Sequence, residues 1–160
     1  MSLGSVSSTL WRERELLDLL LFKLEEEQLV LASGRSRWLA RATKEVEMVL
    51  EEVRRAELLR AVHVDAAAAE LGLPSGPSLR VLAEAAPEPW STLLADHRQA
   101  FLSATAEIQA MADTNRELLT TGFRAAREAL LSLGDGADTY SSSGAAVTGG
   151  RFSRLVDEAI

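Results

Sequence analysis

Leu94, His97, Phe101, Ala104, Ile108, Met111, Asn115 and Leu118 follow one another at spacings of three and four. That is the signature of a helix packed along a narrow stripe. Beyond them Leu119, Phe123, Ala126, Leu130 and Leu133 form a further apolar ridge, which leads into a Gly/Ser/Thr-rich stretch holding the sole tyrosine, Tyr140. Two earlier segments carry the same period. Leu10, Leu17, Leu24 and Leu31 recur every seven residues, with Leu16, Leu20 and Leu21 widening the stripe. Leu39, Ala42, Val46, Val49, Val53 and Ala56 repeat at strict 3–4 spacing. The pattern predicts three long helices, over about 9–33, 36–62 and 90–133.

Local signals set the expected ends. Ser8 or Thr9 can accept a first-turn N–H, and Gly34 tolerates the left-handed conformation that often follows a helix. The turn Ser33-Gly34-Arg35-Ser36 is short enough for an antiparallel helical hairpin. Glu51 and Arg55 form an i,i+4 pair on an exposed face of the second helix. Residues 63–89 read as a connector with two small helices. Asp65 caps the first, over 66–71, which Gly72 and Pro74 end; Pro77 opens the second, over 78–86, which Pro87 stops. Pro89 then starts the third long helix.

That helix spans on the order of 65 Å, against roughly 40 Å for each of the others. Its C-terminal third is therefore expected to lack an internal partner, and Gly122 in that third costs about 1 kcal/mol of helix propensity relative to Ala. Residues 134–160 are too polar and Gly-rich to build a core and read as a flexible tail, although Phe152, Leu155, Val156 and Ile160 restore a weak amphipathic pattern near the end. The expected fold is all-α. It is an elongated antiparallel bundle of three long helices with short connector helices, a helical domain over residues 1–133 and the tail over 134–160.

Composition narrows the function. The chain has 160 residues, enough for one domain, and Ala, Leu, Glu and Arg dominate. A net charge of −7 argues against nucleic acid and against anionic membrane surfaces. There is no cysteine, and the apolar run 16–22 is interrupted by Asp18 and too short to span a bilayer. The expectation is a soluble cytoplasmic protein without stable membrane insertion.

No catalytic constellation emerges, so the chain is expected to be non-enzymatic, with no metal and no cofactor. His63 and His97 show no metal-binding spacing, and Asp135 and Asp138 lack the periodic oxygens of a calcium loop. Trp11, Trp38 and Trp90 each lie near the start of a long helix and are expected to anchor helix ends against the bundle. Asn115 has two readings: an amide on an apolar seam fixes register, and its place just before the uncovered ridge makes it a candidate for partner contact.

The ordered series of features resembles the FlgN family of flagellar type III export chaperones, from about Glu13 to Gly144. It runs through Glu51, Glu52 and Arg54 or Arg55, Leu71-Gly72-Leu73, Leu79 and Leu82, and Pro87 and Pro89. It continues with Leu94 and Arg98, Asn115 with Leu118-Leu119, then Thr139-Tyr140 and Gly144. The chain departs from the family where a second Asn is common, having Asp113 and Thr114 instead. The resemblance implies a chaperone that binds hook-associated junction proteins before export and delivers them to the type III export gate. It implies cargo contacts at Asn115, Leu118, Leu119, Phe123, Ala126 and Leu130, and docking on the gate's cytoplasmic platform through Tyr140.

Two other readings compete. A structural coiled-coil or helical-bundle protein would use the same seam to form a homodimer. A secreted hairpin of the WXG type would need that tripeptide at the turn, where this chain has Ser33-Gly34-Arg35.

Overall fold

The computed structural model describes residues 2–137, and every regular element among them is helical. The order is α1 (Ser2–Ser33), a 3-10 turn (Ser36–Trp38), α2 (Leu39–Glu70), α3 (Leu79–Ala85) and α4 (Trp90–Ala137). The fold is the all-α helical bundle expected from the periodicity. The chain divides into two compact units, Met1–Arg116 and Glu117–Ile160, with the division falling inside α4.

In the first unit α1 and α2 form the antiparallel hairpin. Successive side-chain pairs run down it in opposite chain directions: Lys23 with Glu45, Glu13 with Arg60, Thr9 with His63, and Ser2 with Glu70. Gly34, at φ +68°, supplies the left-handed turn after α1. From Trp90, packed near Gly4, α4 runs parallel to α1, past Ser7 at His97 and Leu24 at Asn115. The three long helices are thus up, down, up.

Four expected helix ends are corrected. α1 begins at Ser2, not near residue 9, because Thr9 is no cap: its hydroxyl bonds to the Ser5 carbonyl at 2.9 Å and pairs with His63 Nδ1 at 2.6 Å. α2 begins at Leu39, after the 3-10 turn, and continues to Glu70 instead of ending near 62. Neither Gly nor Pro occurs between Gly34 and Gly72, so nothing breaks it, and the β-branched Val64 is held in place by burial. The helix ends in a Schellman motif. Gly72, at φ +69°, donates to the Ala69 carbonyl and Leu73 donates to that of Ala68. Asp65 therefore caps nothing, and its carboxylate accepts the Gly76 N–H at 2.7 Å across the following loop. The connector keeps one short helix, α3, whose N-cap Ser78 accepts from the Val81 N–H. At the far end α4 continues through Gly134 and Gly136 to Ala137, past the expected end at Leu133.

The apolar core of the first unit comes in two pieces. Leu3, Val6, Leu10, Val64, Ala67, Leu82, Ala83, Ala86 and Leu94 form one, at the end closed by α3. Leu16, Leu20, Leu24, Val46, Val49, Val53 and Ala56 form the other, toward the hairpin turn. Between them lies a polar layer containing Thr9–His63 and the Glu13–Arg60 ion pair at 2.8 Å. Glu13 is 1% exposed. Burial pushes its carboxyl up from 4.5 to about 6; Arg60 pulls it back and Glu57 adds to the rise. The folded chain therefore binds this proton more tightly than the unfolded chain, so carrying Glu13 charged costs about 2 kcal/mol above pH 6, a cost that disappears as the pH falls below 4.5.

Arg60→Met should destabilise the fold by about 3 kcal/mol near neutral pH, because it leaves a buried carboxylate without its partner. Protonation should then restore part of the loss. Urea unfolding at neutral pH and at about pH 5 should show the variant recovering more stability on acidification than the wild type does.

Candidate partner-binding surface

α4 changes character along its length. Up to Asn115 its 3–4 stripe faces the other helices of the first unit. Leu94 and His97 are buried, and Phe101, Ile108 and Met111 pack against the two clusters. In the second unit Leu118 and Leu119 are half-buried, and from 121 to 134 every residue is exposed. Phe123 is 59% exposed, Leu130 70%, Leu131 61% and Leu133 72%, far above what large apolar side chains show in a core.

The geometry of a continuous helix defines the shape of this surface. The positions that would prolong the seam beyond Leu118 are Gly122, Ala125 and Ala129. The large apolar residues Leu119, Phe123, Leu130 and Leu133, with Ala126 on the same line, sit one position later, which is about 100° round the helix. The ridge is therefore not the seam carried on. It is a second stripe, bordered on one side by small residues that let another helix approach closely, and by Arg124 and Arg127 on the other. A methyl added at Gly122 would meet no atom within 4 Å among the described residues, so nothing there requires glycine sterically.

Asn115 stands apart from the other residues expected to touch a partner. It is 4% exposed, and its Nδ2 donates to the Leu24 carbonyl at 2.9 Å and to Glu27 Oε1 at 3.0 Å. Its amide is thus committed inside the first unit, where it fixes α4 against α1. Leu118, Leu119, Phe123, Ala126 and Leu130 lie together in the second unit. Tyr140 lies outside the described residues, as does most of the stretch read as a flexible tail.

Sequence reasoning missed Glu13 and Arg60. Both occupy seam positions, Glu13 in the series Leu3, Val6, Leu10, Glu13, Leu17 and Arg60 in Val53, Ala56, Arg60, His63, Ala67. The charged run Arg12-Glu13-Arg14-Glu15 disguises the first as surface.

The histidines are structural. His97 is 1% exposed, with Ser7 Oγ and Arg14 Nη1 each 3.5 Å from its ring nitrogens and Trp11 edge-on at 4.9 Å. Burial holds its imidazole below the usual value, and the Arg14 guanidinium pushes the same way against Asp96. Of the three tryptophans, Trp90 packs on the core, whereas Trp11 and Trp38 are about half exposed and carry Arg14 and Arg37 over their rings. The expectation that all three anchor helix ends thus holds for Trp90; Trp38 stays exposed at the hairpin turn. Among the described residues no group of three or more His, Cys, Asp or Glu could hold a metal ion, and no helix is long and apolar enough to cross a membrane.

In comparison with known proteins, the chain matches the family described as FlgN protein over residues 1–148. No curated protein and no solved structure matches it.

Two substitutions separate the roles along α4. Asn115→Ala should cost about 1 kcal/mol of stability through its lost hydrogen bonds, and hydrogen exchange should speed up around Leu24–Glu27. Gly122→Ala should raise the helicity of the free protein and stabilise distal α4 by up to about 1 kcal/mol, since no neighbour obstructs the methyl. Circular dichroism and thermal melts of both variants check the pair.

Proposed function

This chain belongs to the FlgN family of flagellar export chaperones, and from that premise we propose that its distal α4 ridge holds the terminal helical segment of a hook–filament junction protein before export. The observation that carries the proposal is the unbroken exposure of residues 121–134, with Phe123, Leu130 and Leu133 on one stripe. A partner helix laid along Leu118, Leu119, Phe123, Ala126 and Leu130 would be recognised by anchors at 3–4 spacing, the helix-in-groove mode of binding. Covering that segment also covers the surface by which the junction protein assembles, so the cargo stays monomeric. Asn115 serves the site at one remove, by setting the register of the helix that carries it.

The chaperone works in the cytoplasm, without cofactor or catalysis, and brings its cargo to the platform of the export gate. Tyr140 is the docking residue there, an aromatic that offers a compact anchor with few torsions to freeze. Ordering the chain around it costs entropy, so docking is weak unless bound cargo pays that cost first.

Replacing Leu119 and Phe123 by Ala should weaken binding of the cargo's terminal peptide by a few kcal/mol, as for buried apolar anchors. Helicity and thermal stability of the free protein should hardly move. A variant that unfolds instead assigns the ridge to the internal core. Light scattering of the wild type, alone and with cargo, separates the chaperone from a structural homodimer, which would already be a dimer alone and gain nothing from cargo. Tyr140→Ala should leave melting temperature and cargo affinity intact while export of the junction proteins falls; normal export removes the docking role.

A further inference from the structure

Glu13 leaves one of its two carboxylate oxygens unused. Its Oε2 accepts from the Arg60 guanidinium at 2.8 Å, whereas Oε1 is buried and meets no hydrogen-bond donor among the described residues. A buried acceptor left bare carries its full desolvation cost, more so when it is charged. The same carboxylate belongs to the lining of a cleft of about 310 Å³ to which α1, α2, α3 and α4 all contribute. Leu17, Val53, Leu79, Phe101 and Leu102 give the cleft its apolar walls, and Glu57, Arg60, Arg98 and Thr105 complete its polar part. We infer that this cleft binds a small primary amine, with the ammonium donating to Glu13 Oε1 and the apolar body lying against Phe101 and Leu102. The site lies wholly in the first unit and does not depend on the distal ridge being a cargo surface.

Charge and size select this ligand. A cationic N–H makes a stronger bond to a carboxylate than a neutral donor does, and shielding from water strengthens it further. Burial raises the Glu13 carboxyl, Arg60 lowers it by less, and Glu57 adds to the rise, so one guanidinium does not offset the buried charge and a second cation is accommodated. An anion would meet two carboxylates, Glu13 and Glu57, while Arg60 is already committed to Oε2. A bare metal ion would leave the apolar walls unused, and among the described residues no group of three or more His, Cys, Asp or Glu stands ready to hold one. The volume falls at the lower end of the roughly 300–1,000 Å³ of small-ligand sites. The α2 and α4 walls, Val53–Arg60 and Arg98–Thr105, extend about two turns each, which suits a ring on a short chain and not a partner helix.

Phenethylamine is the probe, with phenethyl alcohol and hydrocinnamate as its neutral and anionic counterparts. Titrated into full-length, isotope-enriched protein at neutral pH, the amine should give saturable shifts centred on the amides of Leu17, Val53, Phe101 and Leu102. It should bind about tenfold tighter than the alcohol, and hydrocinnamate should not bind. Equal binding of amine and alcohol makes the cleft a plain apolar hollow and overturns the inference, as does the absence of saturable shifts. The charged groups that share the cleft with Glu13 are Glu57 and Arg60 from α2 and Arg98 from α4. Glu13 gains its proton as the pH falls through about 6, so amine affinity should drop there, and the Glu13 carboxyl signal should titrate lower with amine bound than without. An unmoved Glu13 midpoint overturns the contact with Oε1. Glu13→Gln should erase the advantage of the amine over the alcohol; an advantage kept in the folded variant overturns the role of the carboxylate. Thr105→Trp covers the case in which that variant fails to fold. Position 105 is exposed, and the indole should fill the cleft and abolish amine binding with the melting temperature unchanged. Retained binding there places the amine elsewhere and overturns the inference.

Discussion

A carboxylate buried between two apolar clusters meets its charge partner in one alignment of the helices around it. Glu13 is that group, and Arg60 is its partner. Slide α2 by one heptad and the residue opposite Glu13 becomes Val53 or Ala67, leaving the charge alone in apolar surroundings at a cost of several kcal/mol. The leucine-, valine- and alanine-rich seams would tolerate such slips with little loss, because one small aliphatic layer resembles the next. The ion pair contributes little net stability for the same reason that it specifies so well: its desolvation offsets most of its attraction. Asn115 repeats the device nearer the hairpin turn. Its amide bonds the Leu24 carbonyl and Glu27, and a heptad slip would present Ile108 or Gly122 there instead. One pin fixes α2 on α1, the other fixes α4 on α1.

The two pins differ in how plainly the sequence displayed them. Asn115 follows the apolar run Phe101, Ala104, Ile108 and Met111 at 3–4 spacing, so its seam position is visible at once. Glu13 occupies an equivalent position but sits among Arg12, Arg14 and Glu15, where a charged residue looks solvated; the signal was its phase with Leu10 and Leu17, not its neighbours. Helix ends were harder still. Thr9 has the chemistry of a cap, yet an interior Thr whose hydroxyl bonds back one turn has the same composition, and only the presence of His63 across the hairpin decides between them. Gly72 was legible as a helix stop because its role, a left-handed turn, is local, whereas Ser78, read as the first helical residue after Pro77, is the first-turn acceptor that caps α3. Exposure of residues 121–134 was legible from length alone: α4 has 48 residues against 32 in each helix of the hairpin.

An apolar surface proposed to receive a partner has to stay soluble on its own. Fully burying a side chain such as Phe123 or Leu130 is worth about 1.5–3 kcal/mol, which is both the driving force for a partner and the hazard of aggregation. Several features of distal α4 hold that hazard down. The apolar stripe is narrow, it has Arg127 and Arg124 on one side, and the chain's net charge of −7 opposes the approach of another copy. Gly122 contributes by lowering the helix propensity of this stretch where no neighbour demands a glycine. The step in phase at Leu118–Leu119 matters most. Had the large residues continued the seam at 122, 125 and 129, any helix packing on them would have competed for the line occupied upstream by α1 and α2. Moving them one position on sets them on a stripe of their own, apart from the seam that carries Asn115.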